Sequence, residues 1–158
     1  AGIMYRYVSH DESRPILMSC RLAIALDRLG ELLNELDVVE VGHIGTYNCR
    51  TIGGTDDLSM HGLGLAIDLK SFRTADGHIY DVEDHWEHGV TRNFATQEGE
   101  FLYRLAWQMH TRGIFNIILT PEFNAAHDNH FHVDLTPGAR FIQSSPGRFH
   151  FGTNGTGD

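Results

Sequence analysis

Several features that narrow the function of a chain are scarce or absent in this one. The 158 residues contain no apolar run near the roughly 20 residues that a membrane-spanning helix needs. Basic residues are outnumbered, with 12 Lys and Arg against 21 Asp and Glu and a formal net charge of -9. This balance argues against nucleic acid as a partner, because neutralising phosphates requires a basic face. The chain begins at Ala1 without an initiator methionine or an apolar leader, which we interpret as a processed form, an excised domain or a trimmed segment.

Cysteine is also scarce, with Cys20 and Cys49 as its two copies. In a secreted protein such a pair predicts one disulfide, which would stabilise the fold by about 3–4 kcal/mol. Two buried free thiols are the alternative interpretation, and the composition does not separate the two.

The length and the hydrophobic pattern predict one domain over residues 1–143, followed by a flexible, Gly/Ser/Asn-rich tail at 144–158. Apolar side chains recur at helical spacing in two segments, 15–36 and 96–112, with Ser13 and Thr96 as the candidate caps. Strands are predicted at 38–47, 63–72, 78–82, 115–119 and 130–135. The loops between them include 50–58 and 120–129.

Histidine is the residue in excess, with 11 copies, of which four lie in two short stretches. The first stretch runs from Ser59 to Asp68 and the second from His127 to Asp134. Each offers imidazole and carboxylate groups, which are the ligands that Zn²⁺ commonly takes together. His61, Asp68 and His132 would supply three ligands and leave a fourth position open, as in a catalytic rather than a structural zinc site.

The second stretch predicts different roles for two of its histidines, one as a metal ligand and one as a base. Side chains alternate along a strand, so His130, His132 and Asp134 should point to one side, and the intervening apolar residues to the core. His130 would then lie beside the metal, where it can accept the proton of a metal-activated water and return it to the leaving amine. Asp134 would orient an imidazole, as carboxylates often do for metal-bound histidines.

The first stretch indicates the same metal. Asp68 stands among apolar residues in a predicted buried strand, where a carboxylate is costly unless it is paired or binds a cation. Ser59 would either cap a turn or bond near the metal. Arg50 is a candidate for holding a substrate carboxylate or a developing oxyanion, with a surface ion pair as the alternative.

Another metal chemistry also fits part of the pattern. His132-Val133-Asp134 is an H-x-D element of the kind found in non-haem iron sites, but it needs a distant third histidine, and His150 in the predicted tail is the one downstream. The H-E-x-x-H signature of a zinc helix is absent.

These motifs resemble those of the extensin-like C-terminal family, which is related to zinc peptidases of the M15 and LAS type. The resemblance extends roughly from Cys20 to Leu135. Three motifs carry it: Tyr47-x-Cys49-Arg50, Ser59-x-His61-x-x-Gly64-x-Ala66-x-Asp68 and His127-x-x-His130-Phe131-His132-x-Asp134.

The resemblance implies an α+β fold, a small antiparallel sheet flanked by helices, as in LAS/M15 peptidases. It implies that the zinc ligands are His61, Asp68 and His132, and that His130 is the general base. Arg50 matches an arginine that stabilises the substrate.

The resemblance also implies a pairing of Cys20 with Cys49. One position departs from many M15 enzymes, since Asn129 stands where they place a glutamate, so the base would be His130 or, as the weaker alternative, Asp128.

The function implied is a bacterial, periplasmic or secreted zinc metallopeptidase that cuts peptidoglycan stem peptides or cross-links. It would act on the cell's own wall or, as a toxin domain, on that of a rival. A non-catalytic, zinc-stabilised wall-binding module is the alternative.

Overall fold

A computed structural model of the protein describes residues 2–9, 15–52, 56–145 and 148–151. Within these ranges the chain forms a mixed α+β structure whose elements follow in the order β1 (Met4–Tyr7), α1 (Cys20–Asn34), β2 (Val38–Gly45), β3 (Ala66–Thr74), β4 (Ile79–Asp81), α2 (Val82–His85), α3 (Gln97–Thr111), β5 (Ile117–Leu119), β6 (Phe131–Asp134), β7 (Phe141–Ser145) and β8 (Arg148–Phe151). A single 3₁₀ turn, Ala125–His127, precedes β6.

All the described strands join one eight-stranded sheet. Seven of them follow the order β1-β2-β3-β6-β5-β7-β8, and β4 pairs with the outer half of β3. The pairs β1–β2 and β5–β7 are parallel, whereas the others are antiparallel. The expectation of an α+β fold is confirmed, but that of a small antiparallel sheet is wrong, because the first strand and the last two extend the sheet on both sides.

The first long helix begins later than its hydrophobic pattern suggests. Ser19 caps α1 by accepting a hydrogen bond from the amide of Leu22, at 3.2 Å from Oγ. The backbone N–H of Ser19 also donates to the carbonyl of Gly64, which ties the start of the helix to the loop before β3. Pro15 therefore lies outside the helix, and Ser13, the predicted cap, lies outside the described residues.

The second long helix matches its prediction to within a residue at each end. Thr96 accepts a hydrogen bond from the amide of Gly99 at 3.0 Å, as an N-cap should. Gly113 follows the helix with a φ of 63°, a conformation that favours glycine at helix ends.

The core lies between the two long helices and one face of the sheet. Leu22 and Leu29 of α1 and Leu105 of α3 belong to the same buried apolar cluster as Phe131 and Val133 of β6. Because side chains alternate along a strand, His132 and Asp134 point to the opposite side of β6. The helices thus cover one face of the sheet, and the polar residues of β6 lie on the other face.

The C-terminal segment extends the sheet further than the sequence suggests. Residues 144 and 145 complete β7, and 148–151 form β8, which pairs with β7. Residues 152–158 of the predicted flexible tail lie outside the described part of the chain, and the flexibility of the tail stays a prediction. None of the described helices has both the length and the apolar character that crossing a membrane requires.

Candidate metal centre

Two of the predicted ligands face each other because of the register between β3 and β6. In this antiparallel pair Asp68 lies directly opposite His132, and Ala66 lies opposite Asp134. Side chains directly opposite on neighbouring strands are in contact range. Residues 64 positions apart in the chain therefore meet at the middle of the sheet.

The third predicted ligand comes from the turn before β3. His61 is only 3% exposed, and its carbonyl accepts hydrogen bonds from the amides of Asn48 and Gly64. Gly64 reverses the chain with a φ of +64°, and an added Cβ would lie 3.1 Å from the backbone nitrogen of Ser19. The turn needs glycine at this position for both conformation and space.

Three atoms converge at this point. Nε2 of His61 lies 3.2 Å from Oδ1 of Asp68 and 3.1 Å from Nδ1 of His132, which is itself 3.0 Å from Oδ1 of Asp68. No other such group of histidine, cysteine and acidic side chains occurs within the described ranges. The predicted ligand trio is thus brought together.

The second nitrogen of each imidazole is already engaged. Nδ1 of His61 lies 2.7 Å from the carbonyl oxygen of Thr46, and Nε2 of His132 lies 3.0 Å from Oδ2 of Asp134. A carbonyl and a carboxylate can only accept, so both of these ring nitrogens carry protons. Asp134 is fixed in turn by the amide of Thr136, 2.8 Å from Oδ1. When the rings are neutral, this arrangement directs their lone pairs at one another and at Asp68, and metal-bound histidines are typically held in this way.

The three converging atoms fit a small divalent cation. Atoms bound at about 2.0–2.1 Å to one tetrahedral ion lie about 3.3–3.4 Å apart, close to the separations seen here. Two lone pairs and a carboxylate oxygen facing one another are stable only with a cation or a proton between them. Two imidazoles and one carboxylate match catalytic zinc sites, which keep a further position open.

The electrostatics of this cluster show how strongly it favours a positive charge. Burial alone would raise the pKa of Asp68, but its contacts with the imidazoles of His132 and His61 hold this pKa well below its usual range. Burial likewise lowers the pKa of His132, yet the hydrogen bonds to Asp134 and Asp68 outweigh it and raise this pKa to about 9. Without a metal, the imidazole of His132 thus keeps a proton at the position where the three side chains could bind a cation.

The predicted base lies beside the trio. His130 is buried, and its Nε2 lies 3.6 Å from Oδ1 of Asp68. Its Nδ1 lies 2.7 Å from the amide oxygen of Asn129, which can only accept, so Nε2 is the acceptor of the neutral ring. Burial lowers the pKa of His130, more than the charge of Asp68 raises it, which favours the neutral form.

A further histidine packs over this side of the cluster. The ring of His127 lies 5.2 Å from that of His130 and 5.9 Å from that of His132, centroid to centroid. Burial, with the charges of His130 and His132 next in size, lowers its pKa to about 4. Asp128 follows His127 as the exposed C-cap of the 3₁₀ turn.

Ser59 and Arg50 have distinct places around the trio. The hydroxyl of Ser59 accepts a hydrogen bond from the amide of Gly62 at 3.1 Å, so it caps the turn that carries His61. Arg50 is exposed and lines a cavity of about 370 Å³ together with His61 and Asp68. The two interpretations of Arg50, as a substrate-holding residue or a member of a surface ion pair, both stay predictions.

The predicted disulfide is wrong in this structure. Cys20 and Cys49 are free and exposed. Cys20 is the first residue of α1, whereas Cys49 lies beyond the end of β2, where its thiol raises the pKa of the neighbouring Tyr47 phenol.

Three residues around the site were not predicted from the sequence to have a place in it. The backbone carbonyl of Thr46 cannot be singled out from a sequence, since every residue has a backbone carbonyl. Asn129 stands next to His130, but it is noticeable only as the absence of a glutamate. His43 lines the same cavity as Arg50 and His61, and a histidine in a largely apolar strand is a signal that the sequence does contain.

Fold and site together define an α+β domain with a two-histidine, one-aspartate candidate metal centre on a central strand pair. The family model described as "Extensin-like protein C-terminus" matches residues 11–142. The chain therefore belongs to this family, which confirms the resemblance drawn from its motifs. No curated protein and no solved structure matches the chain.

Proposed function

We propose that this protein is a zinc-dependent peptidase, related to the M15 and LAS type, that hydrolyses peptide bonds in peptidoglycan stem peptides or their cross-links. The observation that carries the proposal is the convergence of His61 Nε2, His132 Nδ1 and Asp68 Oδ1, with His130 beside them. Metal ligands alone would serve a structural site equally well. An acceptor nitrogen next to an incomplete ligand set favours catalysis.

The metal would be held by His61, Asp68 and His132, with Thr46 and Asp134 fixing the two rings. When bound, zinc would supply a Lewis acid that polarises a scissile carbonyl and makes water acidic enough to be deprotonated near neutral pH. These roles leave the transfer of protons to the protein.

His130 is the group suited to that transfer. Its Nε2 accepts a proton from the attacking water, while Asn129 holds the ring through Nδ1. The water oxygen bonds to the carbonyl carbon, the C–N bond breaks, and the same Nε2 gives its proton to the departing amine. The lowered pKa of His130 keeps it neutral and ready to accept at neutral pH.

Arg50 and the cavity beside it would bind the substrate. A guanidinium at the rim can donate to a carboxylate or to a developing oxyanion. With this substrate class the protein would work in the periplasm or outside a bacterial cell, on its own wall or on that of a competitor.

The test is digestion of purified muropeptides by the zinc-loaded protein, followed by mass spectrometry of the products. We expect new termini at peptide bonds and none in the glycan. His130→Ala should keep its zinc and lose activity by about 10²–10⁴-fold, the usual contribution of a general base. Asp128→Ala is the matched control, since Asp128 is exposed and we expect it to retain activity.

Binding of muropeptides or intact sacculi without cleavage would contradict the proposal and support the wall-binding module. Loss of zinc from His130→Ala would contradict the assignment of this residue as the base.

A further inference from the structure

A groove lies on the helix side of the sheet, away from the candidate metal centre. Tyr80 of β4 is opposite Phe72 of β3, a core residue, so its ring is on the side of the sheet that the helices cover. It stacks on the ring of Phe101 of α3, with centroids 3.7 Å apart and planes 14° from parallel. Because Asp68 and His132 lie on the other side of the sheet, a ligand bound here would leave them accessible.

Two adjoining cavities make up this groove, which we call the Tyr80 groove. One, of about 340 Å³, lies between Tyr80 and α3, and the other, of about 400 Å³, lies between Tyr80 and the turn that follows β3. Leu36 and Tyr80 line both cavities. Both volumes are within the range of small-ligand sites, about 300–1,000 Å³. Two compartments that share a wall suit a ligand built from repeated units.

The charges in the Tyr80 groove favour a neutral ligand that brings hydrogen-bond donors. Among the described residues that line it, Asp37, Asp76 and Glu100 are carboxylates, and Arg104 is the one cation. Arg104 is paired with Glu100 at 3.3 Å, and Asp76 accepts a hydrogen bond from the hydroxyl of Thr74 at 2.6 Å. An anionic ligand would be repelled, whereas hydroxyl groups can donate to the carboxylates without adding charge.

Two glutamine side chains add neutral hydrogen-bonding groups. Gln97 is exposed at the start of α3, and its amide can both donate and accept. Gln108 lies about three turns further along the helix, where its Oε1 accepts from Arg112 at 3.1 Å and its amino group can donate to a ligand. Planar amides next to aromatic rings are complementary to a sugar, which has apolar C–H groups on its ring and hydroxyl groups at its edge.

We propose that the Tyr80 groove binds the glycan strand of peptidoglycan, with one N-acetylhexosamine unit in each cavity. The proposal goes beyond the peptidase function and rests on it for the source of the ligand. The two sites lie on opposite faces of the sheet. The protein would therefore hold one glycan strand while a peptide of a neighbouring strand reaches the candidate metal centre.

The probe for the test is tetra-N-acetylchitotetraose, a chain of N-acetylglucosamine units without peptide, which a peptidase does not cut. Its binding to the zinc-loaded protein is measured by NMR titration. We expect shifts in the backbone amide signals of residues 74–80 and 97–108, and none around His61 and Asp68. Tyr80→Ala should weaken binding about tenfold. Gln97→Ala should weaken it about threefold, as the loss of one hydrogen bond implies.

Phe123→Ala is the matched control for Tyr80→Ala. Phe123 is also a partly exposed aromatic residue, but its ring contacts His127 on the metal side, so sugar binding should not change. Thermal unfolding shows whether Tyr80→Ala keeps its fold, and the exposed Gln97 provides a variant that does not disturb the core. Absence of shifts, or shifts confined to the metal side, overturns the proposal.

A second probe distinguishes a sugar site from a site for positive charge. Chitotetraose without its acetyl groups has the same length and carries amines. Tighter binding of this cationic chain than of the acetylated one would show that the carboxylates attract charge, and it would overturn the assignment of the groove to a neutral glycan.

Cleavage of a free stem peptide by the wild-type protein separates this inference from the function on which it rests. If the peptide is cut but the acetylated chain does not bind, the peptidase stands and the glycan site fails. If the acetylated chain binds in the Tyr80 groove and no peptide is cut, the glycan site stands and the peptidase fails.

Discussion

The candidate metal centre draws its ligands from two regions that are built differently. Asp68 and His132 stand opposite each other on β3 and β6, in the middle of the sheet, above a packed core. His61 comes from a loop, where the carbonyl of Thr46, the hydroxyl of Ser59 and the turn at Gly64 hold it. The strand ligands are positioned by register, and the loop ligand by a few local hydrogen bonds.

This difference indicates where the site is strong and where it is vulnerable. A register is kept by every bond of a ladder, so a single substitution shifts it only with difficulty. A turn depends on particular residues and can change without unfolding the sheet. The predictions below probe the two regions separately, from the largest expected effect to the smallest.

Removal of a ligand from either region should abolish zinc binding. His61→Ala and His132→Ala each leave two ligands of three, so we expect neither purified protein to retain its equivalent of zinc in elemental analysis. His78→Ala, which removes a histidine that pairs with Glu98 away from the trio, should retain it. One equivalent of zinc in either ligand variant would contradict the assignment.

Zinc affinity should depend differently on the residues that accept hydrogen bonds from the two imidazoles. Asp134→Asn weakens the acceptor for His132 and should lower zinc affinity by about 10–100-fold, measured by competition with a chelator. Thr46→Val should change it far less, because the acceptor for His61 is the backbone carbonyl. Equal losses in the two variants would show that this distinction is wrong.

The turn should be more sensitive than a comparable turn elsewhere. Gly64→Ala forces a side chain into a positive φ and against Ser19, so we expect a loss of stability of about 2 kcal/mol together with weaker zinc binding. Gly77→Ala is the matched control, with a φ of +92° and no atom within 4 Å of the added Cβ. It should cost about 1 kcal/mol and leave zinc affinity unchanged, as thermal unfolding and chelator competition would measure.

The smallest effect concerns the sheet away from the metal. Glu40 on β2 accepts hydrogen bonds from Arg73 of β3 and Arg6 of β1, and these lower its pKa, chiefly through Arg73. Glu40→Gln should therefore cost about 1 kcal/mol at pH 7, with no change in zinc affinity.

Because the pKa of Glu40 is lower in the folded protein, its contribution is fully present above the unfolded value, about 4.3. It should disappear as the pH falls through the folded pKa. Denaturant unfolding of both proteins over this pH range measures the difference, and a gap that persists at low pH would contradict the ion-pair explanation.

The local parts of the structure follow directly from the sequence. Helix α3 is predicted by its apolar spacing, its threonine cap and its terminal glycine, all of which act within a few residues. The alternation of His132 and Asp134 along β6 is local in the same sense, and the hydrogen bond between them shows that they lie on the same side of the strand.

The parts that the sequence did not reveal depend on distant contacts. The start of α1 is set by a hydrogen bond between Ser19 and Gly64, so the cap nearest the apolar pattern is not the one used. The parallel edge pairs and the contact between Asp68 and His132 depend on strand register, which no local pattern specifies. Residue spacing in the sequence can predict candidate metal ligands, but only the register between β3 and β6 explains why Asp68 and His132 are in contact.

The place of the ligand pair within the strand order has a consequence for how the protein opens. β3 and β6 are the third and fourth of the seven strands in the path, so each is shielded by neighbours on both sides. β1 and β8, at the two ends, can separate from the sheet by brief local opening, whereas the amides of Asp68 and His132 become exposed to solvent only when the centre itself comes apart. The edge strands can therefore open and close repeatedly while Asp68 and His132 stay opposite each other.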